Sequence, residues 1–142
     1  MNTTVQEYKT ILEGFLEAWN RSDASSVASF YSEDCEYKDP NVPEGIFGKP
    51  ALKRYLMLLF RRFPYQDWVL TELYPHSESG SFSACYRFTF ANPKKGLEFK
   101  GTGMDRIELE DGKVKLNWVF LNAEKWRNWI QEEERLATSK SA

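Results

Sequence analysis

Histidine occurs once in this chain of 142 residues, as His76, and cysteine twice, as Cys35 and Cys85. That scarcity excludes most ready-made polar chemistry. His76 follows Pro75 in a stretch of turn formers, so a Ser/His/Asp or Cys/His apparatus has little to build on. No Cys-x-x-Cys or His-Glu-x-x-His spacing is present, and neither a metal nor another cofactor is expected. The cysteines sit apart among strand-like residues and read as buried thiols rather than a disulfide.

Charge of one sign is also missing. Nineteen Lys and Arg face 21 Asp and Glu, giving a net charge of −2. No positive field exists to hold a phosphate backbone, which argues against nucleic acid as a partner. Arg61-Arg62 and Lys94-Lys95 are isolated pairs, read as partners of a helix C-terminus and as a solvated loop. No apolar run approaches membrane-spanning length, so no membrane association is expected. The opening MNTTVQEYK is polar and carries Glu7, unlike a secretory leader, and a cytoplasmic location is expected. Gly101-Thr102-Gly103 lacks the third glycine and following helix of a dinucleotide fingerprint, and reads as a bend that lets a strand curl.

What the chain has is aromatic area: ten Phe, seven Tyr and five Trp. Rings in that number supply a core or line a cavity for an apolar ligand. The length suits one domain, expected over residues 1–136, with a disordered polar tail at 137–142.

Val5, Tyr8, Ile11, Leu12, Phe15, Leu16 and Trp19 recur at three and four residues, which predicts a first helix capped by Thr4 and Glu7. Asp23 is an N-cap for a short second helix carrying Val27, Phe30 and Tyr31 and ended by Ser32-Glu33-Asp34. Residues 35–39 alternate as a strand, and Pro40, Pro43, Gly45 and Gly48 then exclude regular structure until a third helix ending at Pro64. From Gln66 the period becomes two, predicting antiparallel strands near 66–74, 81–91, 97–110 and 113–122. Asp111-Gly112 is a primed two-residue turn that would pair Glu110 with Lys113 and Glu108 with Lys115. A final helix is expected from Ala123 to about Leu136. The fold class is α+β, helices first and sheet after.

Strand phase singles out two carboxylates. Asp39 shares a face with Cys35 and Tyr37, and Asp105 with Ile107 and Leu109, so both fall on faces assigned to the core. A buried carboxylate either satisfies backbone donors or faces a cavity, where its pKa rises and acid/base work becomes available. The two readings stand equal on spacing alone. Candidate walls are Phe15, Trp19, Tyr37, Tyr55, Asn117 and Trp118. A strict hairpin at Asp111-Gly112 places Trp118 beside Asp105, whereas a bulge would put Asn117 on that face.

The stretch FLEAWNRSDASSVASFYSEDCEYKDPNVPEGIFGKPALKRYL and the later MDRIELEDGKVKLNW resemble the nuclear transport factor 2-like superfamily, in its SnoaL-like branch. The likeness spans about residues 5–122 and rests on Trp19 with Asn20 and Asp23, Phe30-Tyr31, Asp39-Pro40, Gly48 and Asp111-Gly112-Lys113. It implies a cone-shaped α+β barrel, helices packed in a strongly curved antiparallel sheet around a hydrophobic pocket, with a homodimer through the sheet. Against ketosteroid isomerases of this fold, Asp39 takes the position of the general base and Asp105 that of the protonated oxyanion-hole acid. Phe15 stands where those enzymes carry a helix-one tyrosine. Against SnoaL-like cyclases, Asn117-Trp118-Val119 replaces a His-Trp-Asp segment. Against limonene epoxide hydrolase, Arg87 is the candidate arginine to flank Asp105. Two functions follow as expectations: acid/base catalysis on a hydrophobic carbonyl or cyclic small molecule, or noncatalytic binding by a dimeric protein of the same fold.

Overall fold

A computed structural model describes residues 4–122 and 124–141; residues 1–3, 123 and 142, which the expected domain, tail and last helix touch, lie outside them. Helix α1 (Val5–Asn20) opens on the expected capping box. Thr4 Oγ1 accepts from the Glu7 N–H at 3.2 Å, and the Glu7 carboxylate accepts from the Thr4 N–H at 3.4 Å. Its stripe of Tyr8, Leu12, Phe15, Leu16 and Trp19 is buried. Helix α2 (Ala24–Ala28) is capped by Asp23, which accepts from the Ser26 N–H at 3.1 Å.

The second helix stops earlier than its pattern predicts. Phe30 and Tyr31 do not belong to it, and strand β1 (Tyr31–Lys38) takes up Ser32-Glu33-Asp34, the residues expected to end the helix. The cause is tertiary. The Phe30 carbonyl accepts from the Val114 N–H at 2.8 Å, and Tyr31 pairs with Val114 on a strand distant in sequence.

The remaining elements are β2 (Ile46–Phe47), α3 (Lys49–Arg62), β3 (Tyr65–Pro75), β4 (Ser81–Asn92), β5 (Leu97–Glu110), β6 (Lys113–Leu121) and α4 (Glu124–Ser141). Strand β2 forms inside the Pro- and Gly-rich stretch expected to stay irregular, because Glu36 and Tyr37 offer it an edge. Helix α4 continues to Ser141, past the expected stop near Leu136. Among the described residues no helix is long and apolar enough to cross a membrane.

Among the described residues the six strands form one sheet in the order β2-β1-β6-β5-β4-β3. Neighbours are antiparallel except β1 and β6, which run parallel, so the sheet is mixed where a purely antiparallel one was expected. It curls around α1 and α3 without closing. Gly101 permits a close approach within that curl, since a Cβ there would lie 2.9 Å from the Asn122 carbonyl oxygen.

The β5–β6 hairpin decides which residues face inward. Asp111 and Gly112 both adopt positive φ, 52° and 76°, as a primed turn requires, and Glu110 pairs with Lys113. One step later the register shifts between Glu108 and Leu109, so Glu108 opposes Leu116 and not Lys115. Lys115 Nζ instead donates to Glu110 Oε2 at 2.8 Å. Beyond this bulge Asn117 and Val119 point into the cone, while Trp118 and Phe120 are 39% and 51% exposed outside it.

Candidate functional site

Asp105 sits on β5 opposite Ala84 and Val119 and is 3% exposed. Its Oδ1 accepts from the Tyr86 hydroxyl at 2.7 Å and its Oδ2 from Asn117 Nδ2 at 2.8 Å. The Asn117 Oδ1 in turn accepts from the Tyr31 hydroxyl at 2.7 Å. Burial pushes the Asp105 carboxyl up to about 7, against the opposing pull of the Tyr86 and Asn117 donors. Burial and the Asp105 charge hold the Tyr86 hydroxyl well above its usual value, so it remains a proton donor in this pair.

Asp39 follows β1 and is 5% exposed, as its phase predicted. Four donors converge on it. The backbone N–H groups of Asn41 and Val42 reach Oδ1 at 2.7 and 3.1 Å, and the hydroxyls of Tyr37 and Tyr55 reach Oδ2 at 2.8 and 2.5 Å. The first two form the turn into Pro40 and Val42. An ionised carboxylate is acceptor-only, and this donor set matches one. Burial first, then the Asp39 charge, raises both phenols well above their ordinary values.

Both aspartates line one internal cavity of about 40 Å³, together with Phe15, Trp19, Tyr37 and Asn117. Six of the eight residues singled out from the sequence are thus brought together. Tyr55 joins them only through its hydroxyl on Asp39, because its ring lines a neighbouring outer volume of about 430 Å³. Trp118 does not join them. The one-residue bulge turns it to the outer face, where Lys38 Nζ lies 4.8 Å from its ring centroid. Arg87 opposes Thr102 and points away from Asp105, so it does not flank that carboxyl. Among the described residues no three His, Cys, Asp or Glu side chains converge where an ion could sit.

A family model for the SnoaL-like domain matches residues 12–117, most of the chain. The chain belongs to the SnoaL-like family. No curated protein matches the sequence significantly. Solved structures do match in fold. A Bacillus subtilis protein assigned as an isomerase superposes with a TM-score of 0.75 at 20% identity, over 86% of this chain and 90% of its own. A Xanthomonas campestris protein assigned as a polyketide cyclase gives 0.67 at 18% identity, over 85% and 94%. An M. tuberculosis LEH-like epoxide hydrolase gives 0.70 at 14% identity, over 94% and 97%. At such identities these likenesses establish the cone fold of this SnoaL-like chain and no chemistry.

Several residues around the SnoaL-like cavity were not singled out from the sequence: Tyr86, Trp68, Gln66 and Trp126. For Tyr86 a signal existed, since it alternates with Phe82, Ala84, Phe88 and Phe90 on the buried face of β4 and alone there carries a hydroxyl. Trp126 offered none. Its indole N–H is buried and has no hydrogen-bond acceptor among the described residues, a fact of packing rather than of pattern.

Proposed function

We propose that this SnoaL-like protein binds a small hydrophobic molecule in its cone, whose inner cavity of about 40 Å³ widens to admit it, and does acid/base chemistry on a carbonyl or cyclic substrate, with Asp105 as the group that moves the proton. The observation carrying this reading is the environment of Asp105: a cavity-lining carboxyl that burial lifts to about 7, where a general acid/base works best at neutral pH. Protonated Asp105 donates to the developing oxyanion. Tyr86 supplies the phenol beside it, the group whose helix-one position is taken here by Phe15. Asp39, anchored by four donors, acts as base only if a phenol is released, and otherwise positions Tyr37 and Tyr55. The test follows the Asp105 carboxyl by NMR titration beside turnover of a panel of cyclic enones, epoxides and polyketide-like esters by wild type and Asp105→Asn. A midpoint near 4, or equal turnover by both proteins, would sink the acid/base role.

The saturation of Asp39 favours a second reading, a noncatalytic binder in which both aspartates are structural. Under it Asp105→Asn leaves ligand affinity intact and no substrate turns over. In either case we take the protein to be a homodimer through the outer face of the sheet, where Met104, Trp118 and Phe120 are exposed.

A further inference from the structure

We propose that the ligand is an organic acid, with an apolar ring-bearing body seated against Leu59 and Trp126 and its anionic group held outside the cone by Arg61, Arg62 and Lys95. This rests on the pocket reading above and names the ligand class. The outer volume of about 430 Å³ lies between the C-terminal half of α3, helix α4 and the Pro93–Lys95 turn, and falls in the size range of small-molecule sites. It adjoins the inner cavity, because Leu59 and Trp126 line both. Tyr55 links them a second time, lining the outer volume while its hydroxyl holds Asp39 on the inner one.

The charge around this volume is one-sided. Arg61, Arg62 and Lys95 line it with no Asp or Glu among the lining residues, although the chain as a whole is net negative. Among the described residues none of the three cations has a carboxylate within ion-pair distance, whereas eight other pairs do form. Arg62 is instead stacked 5.6 Å from the Trp129 ring centroid, and its carbonyl is fixed by Asn92 Nδ2 at 3.0 Å. The three side chains are exposed, so water and salt screen their mutual repulsion, and an anion seated among them is attracted by all three. Apart from Asn41 and Tyr55, the rest of the wall is apolar: Val42, Leu58, Leu59, Phe63, Trp126 and Ile130. Trp126 adds a buried indole N–H that has no acceptor among the described residues, a donor available to a polar atom on the ligand body. Cations at one end, apolar walls and an unclaimed donor at the junction match an amphipathic acid and mismatch a neutral sterol or an amine.

Two fluorescent probes with the same ring body separate the charge from the pocket: anilinonaphthalene sulfonate, which is anionic, and N-phenylnaphthylamine, which is neutral. Both should bind with one-to-one stoichiometry and displace each other, the sulfonate at least about fivefold tighter, a difference one well-placed ionic contact supplies. The double change Arg61→Gln, Arg62→Gln should abolish that preference without altering affinity for the neutral probe. Lys53→Gln, the same kind of charge loss on α3 outside the volume, should change neither. Equal affinity for the two probes, or a preference that survives the double change, overturns the acid and leaves the pocket standing. Failure of the probes to compete assigns the sulfonate to surface charge and likewise overturns the inference. No binding of either probe overturns the inference and the pocket reading together.

Discussion

Tyr86 pairs across the backbone with Gly103, yet its hydroxyl reaches diagonally over the β4–β5 pair to donate to Asp105 Oδ1 at 2.7 Å. Gly103 has no side chain on the face that both groups share, and a Cβ there would meet the Leu121 side chain at 2.5 Å. A phenol and a carboxyl are thereby coupled inside the cone by two adjacent strands, with no contribution from helix α1. Removing the hydroxyl with Tyr86→Phe deletes a donor that pulls the Asp105 pKa down, so the midpoint should move above about 7. Stability should fall by about 1 kcal/mol for one buried hydrogen bond. Carboxyl NMR and urea unfolding check the two numbers, and a midpoint that drops would contradict the arrangement.

The raised pKa also fixes a sign for stability against pH. Below about pH 4 the carboxyl is protonated in both folded and unfolded chains and contributes no difference. Between the ordinary value of 3.8 and about 7 the folded chain keeps a proton that the unfolded chain has lost, so stability declines as pH rises. Above about 7 the loss is complete and amounts to roughly 4 kcal/mol at most. Asp105→Asn should remove this decline. Urea unfolding of both proteins at pH 5 and pH 8 measures it, and parallel pH dependence would refute burial as the cause.

Asp39→Ala strips four donors of their acceptor, two in the turn and two on phenols. The expected cost is about 3 kcal/mol. Asp39→Asn keeps an oxygen for the turn N–H groups and an amide for the phenols, so it should cost less than half of that. Denaturation midpoints of the two variants decide the point, with equal costs counting against a turn-anchoring role.

Trp126→Phe preserves a ring at the site where Trp126 crosses Phe90 at 5.3 Å and removes an N–H that has no acceptor among the described residues. Its stability should lie within about 0.5 kcal/mol of wild type or above it. Trp126→Ala, by contrast, should cost about 3 to 5 kcal/mol through the cavity it leaves. Thermal unfolding of the pair distinguishes them.

The outer sheet face supplies a test of assembly. Trp118 and Phe120 lie with centroids 4.9 Å apart and rings tilted by 31°, beside Met104, all exposed. Sedimentation should report a dimer, and Phe120→Glu should yield a monomer of unchanged thermal stability. A monomeric wild type would overturn the dimer.

Much of the molecule follows from local pattern. The capping box at Thr4 and Glu7, the α1 stripe, the Asp111-Gly112 turn and the inward phase of Asp39 and Asp105 depend on neighbours within a few residues, and each appears where its spacing puts it. Other features depend on partners far along the chain. Tyr31 leaves its helical pattern because Val114 pairs with it, and Trp118 leaves the site because one extra residue at the β6 bulge flips the face of everything after it. A side-chain period of two makes that flip total, and no local signal marks the bulge. Arg61, Arg62 and Lys95 read as scattered surface charge in one dimension, and only the tertiary placement of the α3 end beside the Pro93–Lys95 turn gathers them around a shared volume. Composition and periodicity therefore determined the elements and which aspartates turn inward. Burial depth, hydrogen-bond partners and the charge of a cavity wall are sums over distant residues, and the tertiary structure alone decided them.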